Sequence, residues 1–229
     1  MRGKAGWLSF GILMAGLAGA QCVPAAQIAP VSLEEGSGDA LLERYRPVLD
    51  QYYTALLEQW SVQEYEAAGL CPLCAYCTTP SQAGYWLEDV DNNGTEELLI
   101  GETDASGAYG GMFFQLYTLA GDTPVLMASS TEYSRCYLCT DGSVAVEESG
   151  ASDAASWAYY TVDSDQAVLT LTETVFCGSA ADGSVCWFYS GISTAAEEQP
   201  VPEEDAREVM AAREYETVAY LPFEDYAEL

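Results

Sequence analysis

The segment Asp89-Val90-Asp91-Asn92-Asn93-Gly94-Thr95-Glu96-Glu97 concentrates oxygen donors at a regular spacing. With Asp89 as position one, side-chain oxygens fall at positions one, three, five and nine: Asp89, Asp91, Asn93 and Glu97. Gly94 stands at position six, where such a loop must turn sharply, and Thr95 at seven offers its backbone carbonyl. Hard oxygen donors in this pattern suit Ca²⁺, which takes about six to eight oxygens in flexible geometry. Mg²⁺ fits less well, because it demands tight octahedral geometry and keeps its water. The expected ligand set is Asp89, Asp91, Asn93, Thr95 and Glu97.

Position twelve is Ile100, where an EF-hand carries a bidentate glutamate. Leu98, Leu99 and Ile100 read as a buried strand and not as an exiting helix. The loop therefore feeds a strand, and in this it resembles the Ca²⁺ loops of integrin-like extracellular repeats. Without the twelfth ligand the expected dissociation constant is on the order of 10⁻⁴ to 10⁻³ M, which suits a structural site and not a cytosolic sensor.

Cysteine supplies the second chemistry. Eight are present: Cys22, Cys71, Cys74, Cys77, Cys136, Cys139, Cys177 and Cys186. An even number in an exported chain favours disulfides. Cys177 and Cys186 flank an expected hairpin loop and are the pair expected to bond. Cys71, Cys74, Cys136 and Cys139 form two Cys-x-x-Cys units, which could bond as disulfides or hold Zn²⁺ as four thiolates. The iron–sulfur reading of 71–77 lacks its following Cys-Pro. A thioredoxin-like reading lacks a surrounding βαβ pattern.

Composition removes other chemistries. The chain has 229 residues, a formal charge of −29 and no histidine. Lys4 is the sole lysine. Histidine triads, histidine-ligated metals, lysine Schiff bases and phosphate loops of the Gly-Lys-Ser/Thr type are excluded. The charge also argues against nucleic acid and anionic membrane surfaces, which need clustered Lys and Arg. At 49% hydrophobic and 12% aromatic, the chain can still build a core.

The elements that must position these residues follow a simple order. Residues 1–20 read as a secretory signal, with Arg2 and Lys4, a short apolar run and the small-residue site Ala18-Gly19-Ala20. Gln21 before Cys22 speaks against lipid attachment at Cys22. Residues 21–40 read as a flexible linker, and 41–229 as a single α+β domain. Leu41, Tyr45, Val48, Tyr52, Leu56 and Trp60 recur at helical spacing, with Pro47 expected to start or kink that helix. From residue 84 onward, short β-rich runs alternate with Gly, Asp and Ser turns, which predicts an antiparallel meander. Strands are expected at 97–101, 112–119, 124–128, 134–139, 143–147, 157–162, 167–176 and 185–189. An acidic helix is expected within 202–215, burying Val209, Met210 and Ala212, followed by an edge strand at 217–223. The predicted fold is an N-terminal helix packed on an antiparallel sheet meander, with an acidic C-terminal helix.

Tyr85-Trp86-Leu87-Glu88 followed by the oxygen-rich loop resembles a family of uncharacterised exported proteins and lipoproteins of gut Firmicutes. That family's pattern is aromatic-x-Leu-x-Asp-Ile-Asp-Gly-Asn-Gly-x-x-Glu-Leu-Leu-Ile. Tyr137 to Gly150, and Cys186 to the final Tyr220-Leu221-Pro222-Phe223, resemble its later segments. The chain departs from it at Asn92, where Gly is usual, and in its many cysteines. The resemblance implies an exported Ca²⁺-binding α+β domain with no assigned activity.

The expected function is an exported Ca²⁺-binding domain with a structural or interaction role, its partner an extracellular protein or glycan. Two alternatives stay open. One is a carboxylate-dependent extracellular hydrolase, which needs a pocket holding two carboxylates about 5 to 10 Å apart. The other is a zinc or thiol module built on the four cysteines of the two Cys-x-x-Cys units.

Overall fold

In the computed structural model, residues 37–150, 154–179, 182–191 and 199–226 are described. The expected signal at 1–20, most of the linker and Cys22 lie outside them. The architecture is α+β: an antiparallel sheet of eleven strands with a few helices.

Helix α1, Ser37–Leu57, begins ahead of the expected start and carries Pro47 in its interior. Proline removes one helical hydrogen bond and crowds the carbonyl four residues back, a cost of about 3 kcal/mol in an isolated helix. Tertiary burial outweighs that cost here. Tyr45, Leu49, Tyr52, Ala55 and Leu56 are all buried against the sheet. Leu41 and Val48 pack at the margin of this cluster, and Trp60 joins it from beyond the helix end.

Two short elements follow that the spacing of apolar residues does not announce. Helix α2, Val62–Ala68, opens with a capping box: Ser61 accepts from the Glu64 amide, and the Glu64 carboxylate accepts from the Ser61 amide at 2.7 Å. It ends at Gly69 in the left-handed region. A 3-10 turn, Pro72–Tyr76, comes next.

The sheet begins with β1, Ala83–Glu88, and β2, Glu97–Glu102, joined by the oxygen-rich loop. Strand β1 is not among the expected strands. Strands β3 (Phe113–Ala120), β4 (Thr123–Ser129), β5 (Ser134–Leu138), β6 (Val144–Ser149), β7 (Ala155–Asp163), β8 (Val168–Ser179) and β9 (Val185–Gly191) follow near their expected places. Strand β10, Gln199–Val201, precedes helix α3, Glu203–Ala211. Glu203, Glu204 and Asp205 occupy the first turn of α3, where the helix dipole favours anions. Ala206 is its buried residue, Val209 and Met210 are half-buried, and Ala212, expected to be buried, is exposed. The last strand, β11, shrinks to Leu221–Pro222, and Phe223–Tyr226 forms a one-turn helix, α4. Proline in β11 limits pairing to an edge.

The strand order is β10-β9-β8-β7-β6-β5-β3-β2-β1-β11, with β4 also on β3. Strand β3 is where the sheet divides. It pairs along its length with β2 and β4, but with β5 only at Phe113 opposite Cys136. Leu98 and Ile100 face the helix-side core while Leu99 faces the opposite one, so β2 is apolar at successive positions. Gly84 and Gly101 are cross-strand partners. A side chain at Gly84 would meet the Leu221 backbone, and one at Gly101 would meet the Tyr220 ring, so the pair forms the slot that seats the C-terminal segment.

Candidate metal centre

The loop between β1 and β2 folds as an oxygen-lined turn. Asn92 and Gly94 adopt positive φ, 59° and 92°. That curl brings amides back onto the first carboxylate: the Asn93 and Gly94 amides each donate to Asp89 at 2.9 Å. The Asn93 amide also reaches Asp91 at 3.3 Å, and the Thr95 amide donates to Asn93 Oδ1 at 2.7 Å. Asp89, Asp91 and Glu97 each present a carboxylate oxygen within 4.8 Å of the others. This arrangement could hold a metal ion.

Glu97 sits at the base of the cluster and is 0% exposed. It accepts from the Val90 amide at 3.1 Å and from Thr118 Oγ1 at 3.2 Å. Burial pushes its carboxyl up from an ordinary 4.5 to about 7, with the nearby Asp91 carboxylate adding to the rise and the Val90, Thr118 and Ser164 hydrogen bonds opposing it. Among the described residues no arginine forms an ion pair with Asp89, Asp91 or Glu97. Three converging carboxylates without a cationic side chain are a donor set suited to a hard cation.

A remote turn completes the cluster. Ser164, between β7 and β8, donates from its amide and its hydroxyl to Asp91 Oδ2 at 2.7 and 2.6 Å. Asn93 Nδ2 donates to Ser164 Oγ at 2.7 Å and to Asp165 at 3.2 Å. Ser164 and Thr118 are both buried. Neither is legible in the sequence as part of the site, because each lies far along the chain from the loop and carries no motif of its own. Of the expected ligands, Asp89, Asp91 and Glu97 converge. The Asn93 side-chain amide anchors the loop to the Ser164 turn.

The cysteines behave differently from expectation. All seven described cysteines are free thiols. In the β8–β9 hairpin Cys177 stands opposite Trp187 and Cys186 opposite Gly178. Adjacent register positions face opposite sides of a sheet, so the expected Cys177–Cys186 bridge is not made. The four-thiolate zinc site fails for a related reason. Cys136 and Cys139 are three apart along extended chain, so their sulfurs point to opposite faces. Cys136 packs with Leu138 and Val144, and Cys139 with Ala145 and Tyr159. Cys71 and Cys74 sit in the helix-side core. Among the described residues the cluster of metal-binding side chains is the carboxylate one.

A cavity of about 230 Å³ lies beneath the end of α1, lined by Ala55, Gln59, Trp60, Tyr65, Ala75, Cys77 and Thr78. It has aromatic walls but no carboxylate, so it does not supply the acid–base pair of a glycosidase. No described helix is long and apolar enough to cross a membrane. No family model matches the chain, and none of the curated proteins or solved structures compared with it matches significantly.

Proposed function

We propose that the chain is an exported Ca²⁺-binding domain whose ion serves structure and interaction, not catalysis. The observation that carries this reading is the convergence of Asp89, Asp91 and Glu97 with no cationic partner among the described residues. Two further features support Ca²⁺ over other metals. The donors are all oxygens, which disfavours zinc and copper, and their spacing at positions one, three, five and nine is that of a Ca²⁺ loop. Asn93 and the Thr95 carbonyl complete the ligand set. The ion neutralises the carboxylates and fixes the β1–β2 loop against the Ser164 turn. The Firmicutes-like motif and the signal-like start support export, with an extracellular protein or glycan as partner.

Calorimetric titration of the full chain with Ca²⁺ tests this. The expected dissociation constant is on the order of 10⁻⁴ to 10⁻³ M. Asp91→Ala should abolish the binding heat while the far-UV circular dichroism stays that of the parent. Unchanged binding in that variant would refute the assignment.

A further inference from the structure

The triplet Cys71, Cys74 and Cys77 passes through the 3-10 turn. Its bonds are of the three-residue kind: the Cys74 amide donates to the Cys71 carbonyl at 3.1 Å, and the Cys77 amide to the Cys74 carbonyl at 3.0 Å. A 3-10 turn has about three residues per turn and rises about 2 Å per residue, so every third side chain is eclipsed. Successive cysteine Cα atoms in such a turn stand about 6 Å apart, inside the range that disulfides span. Cys71 is engaged elsewhere, donating to the Ser130 carbonyl at 3.3 Å. Cys77 makes a longer contact, donating to the Gln82 carbonyl at 3.8 Å, and the Cys74 thiol has the Cys77 thiol and the Tyr65 hydroxyl beside it.

The two thiols differ in access. Cys74 is 0% exposed, while Cys77 is 7% exposed and lines the 230 Å³ cavity. Trp60, Tyr65 and Ala75 form apolar walls there, and the exposed Gln59 and Thr78 form the rim. A thiol at the wall of an open cavity with a second thiol buried behind it is the arrangement of an attacking and a resolving cysteine.

We propose that this cavity admits one arm of a small disulfide and that Cys77 and Cys74 exchange with it to become a disulfide. In the first step the Cys77 sulfur attacks one sulfur of the small disulfide. The small molecule's S–S bond breaks, a mixed disulfide forms on Cys77, and one small thiol leaves with the proton. In the second step the Cys74 sulfur attacks Cys77 Sγ, the mixed disulfide breaks, and the second small thiol leaves with the Cys74 proton. One small disulfide is reduced to two thiols, and one protein dithiol is oxidised. Cys74 is closed off from solvent, so the small disulfide reaches Cys77 first and Cys74 acts on the mixed disulfide formed beside it. The local charge selects the reagent. The wall residue Trp60 donates its Nε1–H to the Glu58 carboxylate at 2.8 Å, and the whole chain carries −29. A cationic disulfide is favoured over an anionic one.

The test uses the full chain, reduced and freed of reductant, with cystamine as the cationic disulfide, followed by acid quench, alkylation and peptide mapping. The wild type should give a Cys74–Cys77 disulfide and two released small thiols. Cys74→Ser should stop at a cystamine adduct on Cys77. Cys77→Ser should leave Cys74 free to alkylate after unfolding. Should either serine variant fail to fold, the wild-type map decides alone. Cys74 and Cys77 both remaining as thiols would overturn the proposal, and so would a new bond joining Cys71 to Cys74 or to Cys136.

Discussion

Glu97 couples the candidate metal centre to pH. In the folded, metal-free chain it keeps its proton up to about pH 7, whereas an unfolded glutamate loses it near 4.5. Between those values unfolding releases a proton, so stability falls as pH rises and levels off above about 7. The full loss is on the order of 3 kcal/mol, since each pH unit between the two values costs about 1.4 kcal/mol. Urea denaturation in EGTA at pH 5 and pH 8 should show the more acidic sample to be the more stable. Glu97→Gln keeps the shape without the charge, so it should flatten this dependence and raise the metal-free stability at pH 8. The same variant should lose its response to Ca²⁺. Ca²⁺ must displace the Glu97 proton, so wild-type affinity should climb with pH up to about 7. The spacing of Asp89, Asp91 and Glu97 is readable along the chain, because a loop ligand set is local. Ser164 and Thr118 are not readable, because only the packing of β3 and the β7–β8 turn brings them to the loop.

At the scale of elements, the capping box of α2 is the most separable contribution. Ser61→Ala should cost about 1 kcal/mol, within a range of about 0.5 to 2, with no change in Ca²⁺ binding. Thermal denaturation of the variant with and without Ca²⁺ measures both. Its Ser-x-x-Glu signature is present in the sequence, but the helix itself is too short to show an apolar period. The β meander is legible because turn residues such as Gly121 and Gly142 punctuate it, and both adopt positive φ. Pro47 misleads in the other direction. Of the two expectations for Pro47, a helix start and an interior position with a kink, the start is overturned, because burial of Tyr45, Leu49 and Tyr52 carries the helix through it. The cysteine pairs mislead because their meaning depends on the element. Three-residue spacing stacks side chains in the 3-10 turn at 71–77 and separates them across the sheet at 136–139.

At the scale of the molecule, the sheet is thinnest where β3 meets β5, and two devices span that junction. One is Ser130, which is fully buried. Its hydroxyl donates to the Phe113 carbonyl at 2.6 Å and accepts from the Cys136 amide at 3.0 Å. Ser130→Ala orphans that amide and carbonyl and should cost about 1 to 3 kcal/mol in urea denaturation. The other device is the oxygen-rich loop, which ties β1–β2 on one side to the β7–β8 turn on the other through Asp91, Asn93 and Ser164. A cation there would draw Asp89, Asp91 and Glu97 together and so hold both parts of the sheet. This closure is long-range and belongs to the assembled sheet. The most direct measurement is a thermal melt of the full chain in EGTA and then across millimolar Ca²⁺, with Mg²⁺ as control. A ligand that binds the folded chain must raise its stability with concentration. The melting temperature should climb with Ca²⁺ and not with Mg²⁺, and stay flat in Asp91→Ala. A melting temperature indifferent to Ca²⁺ in the wild type would contradict it.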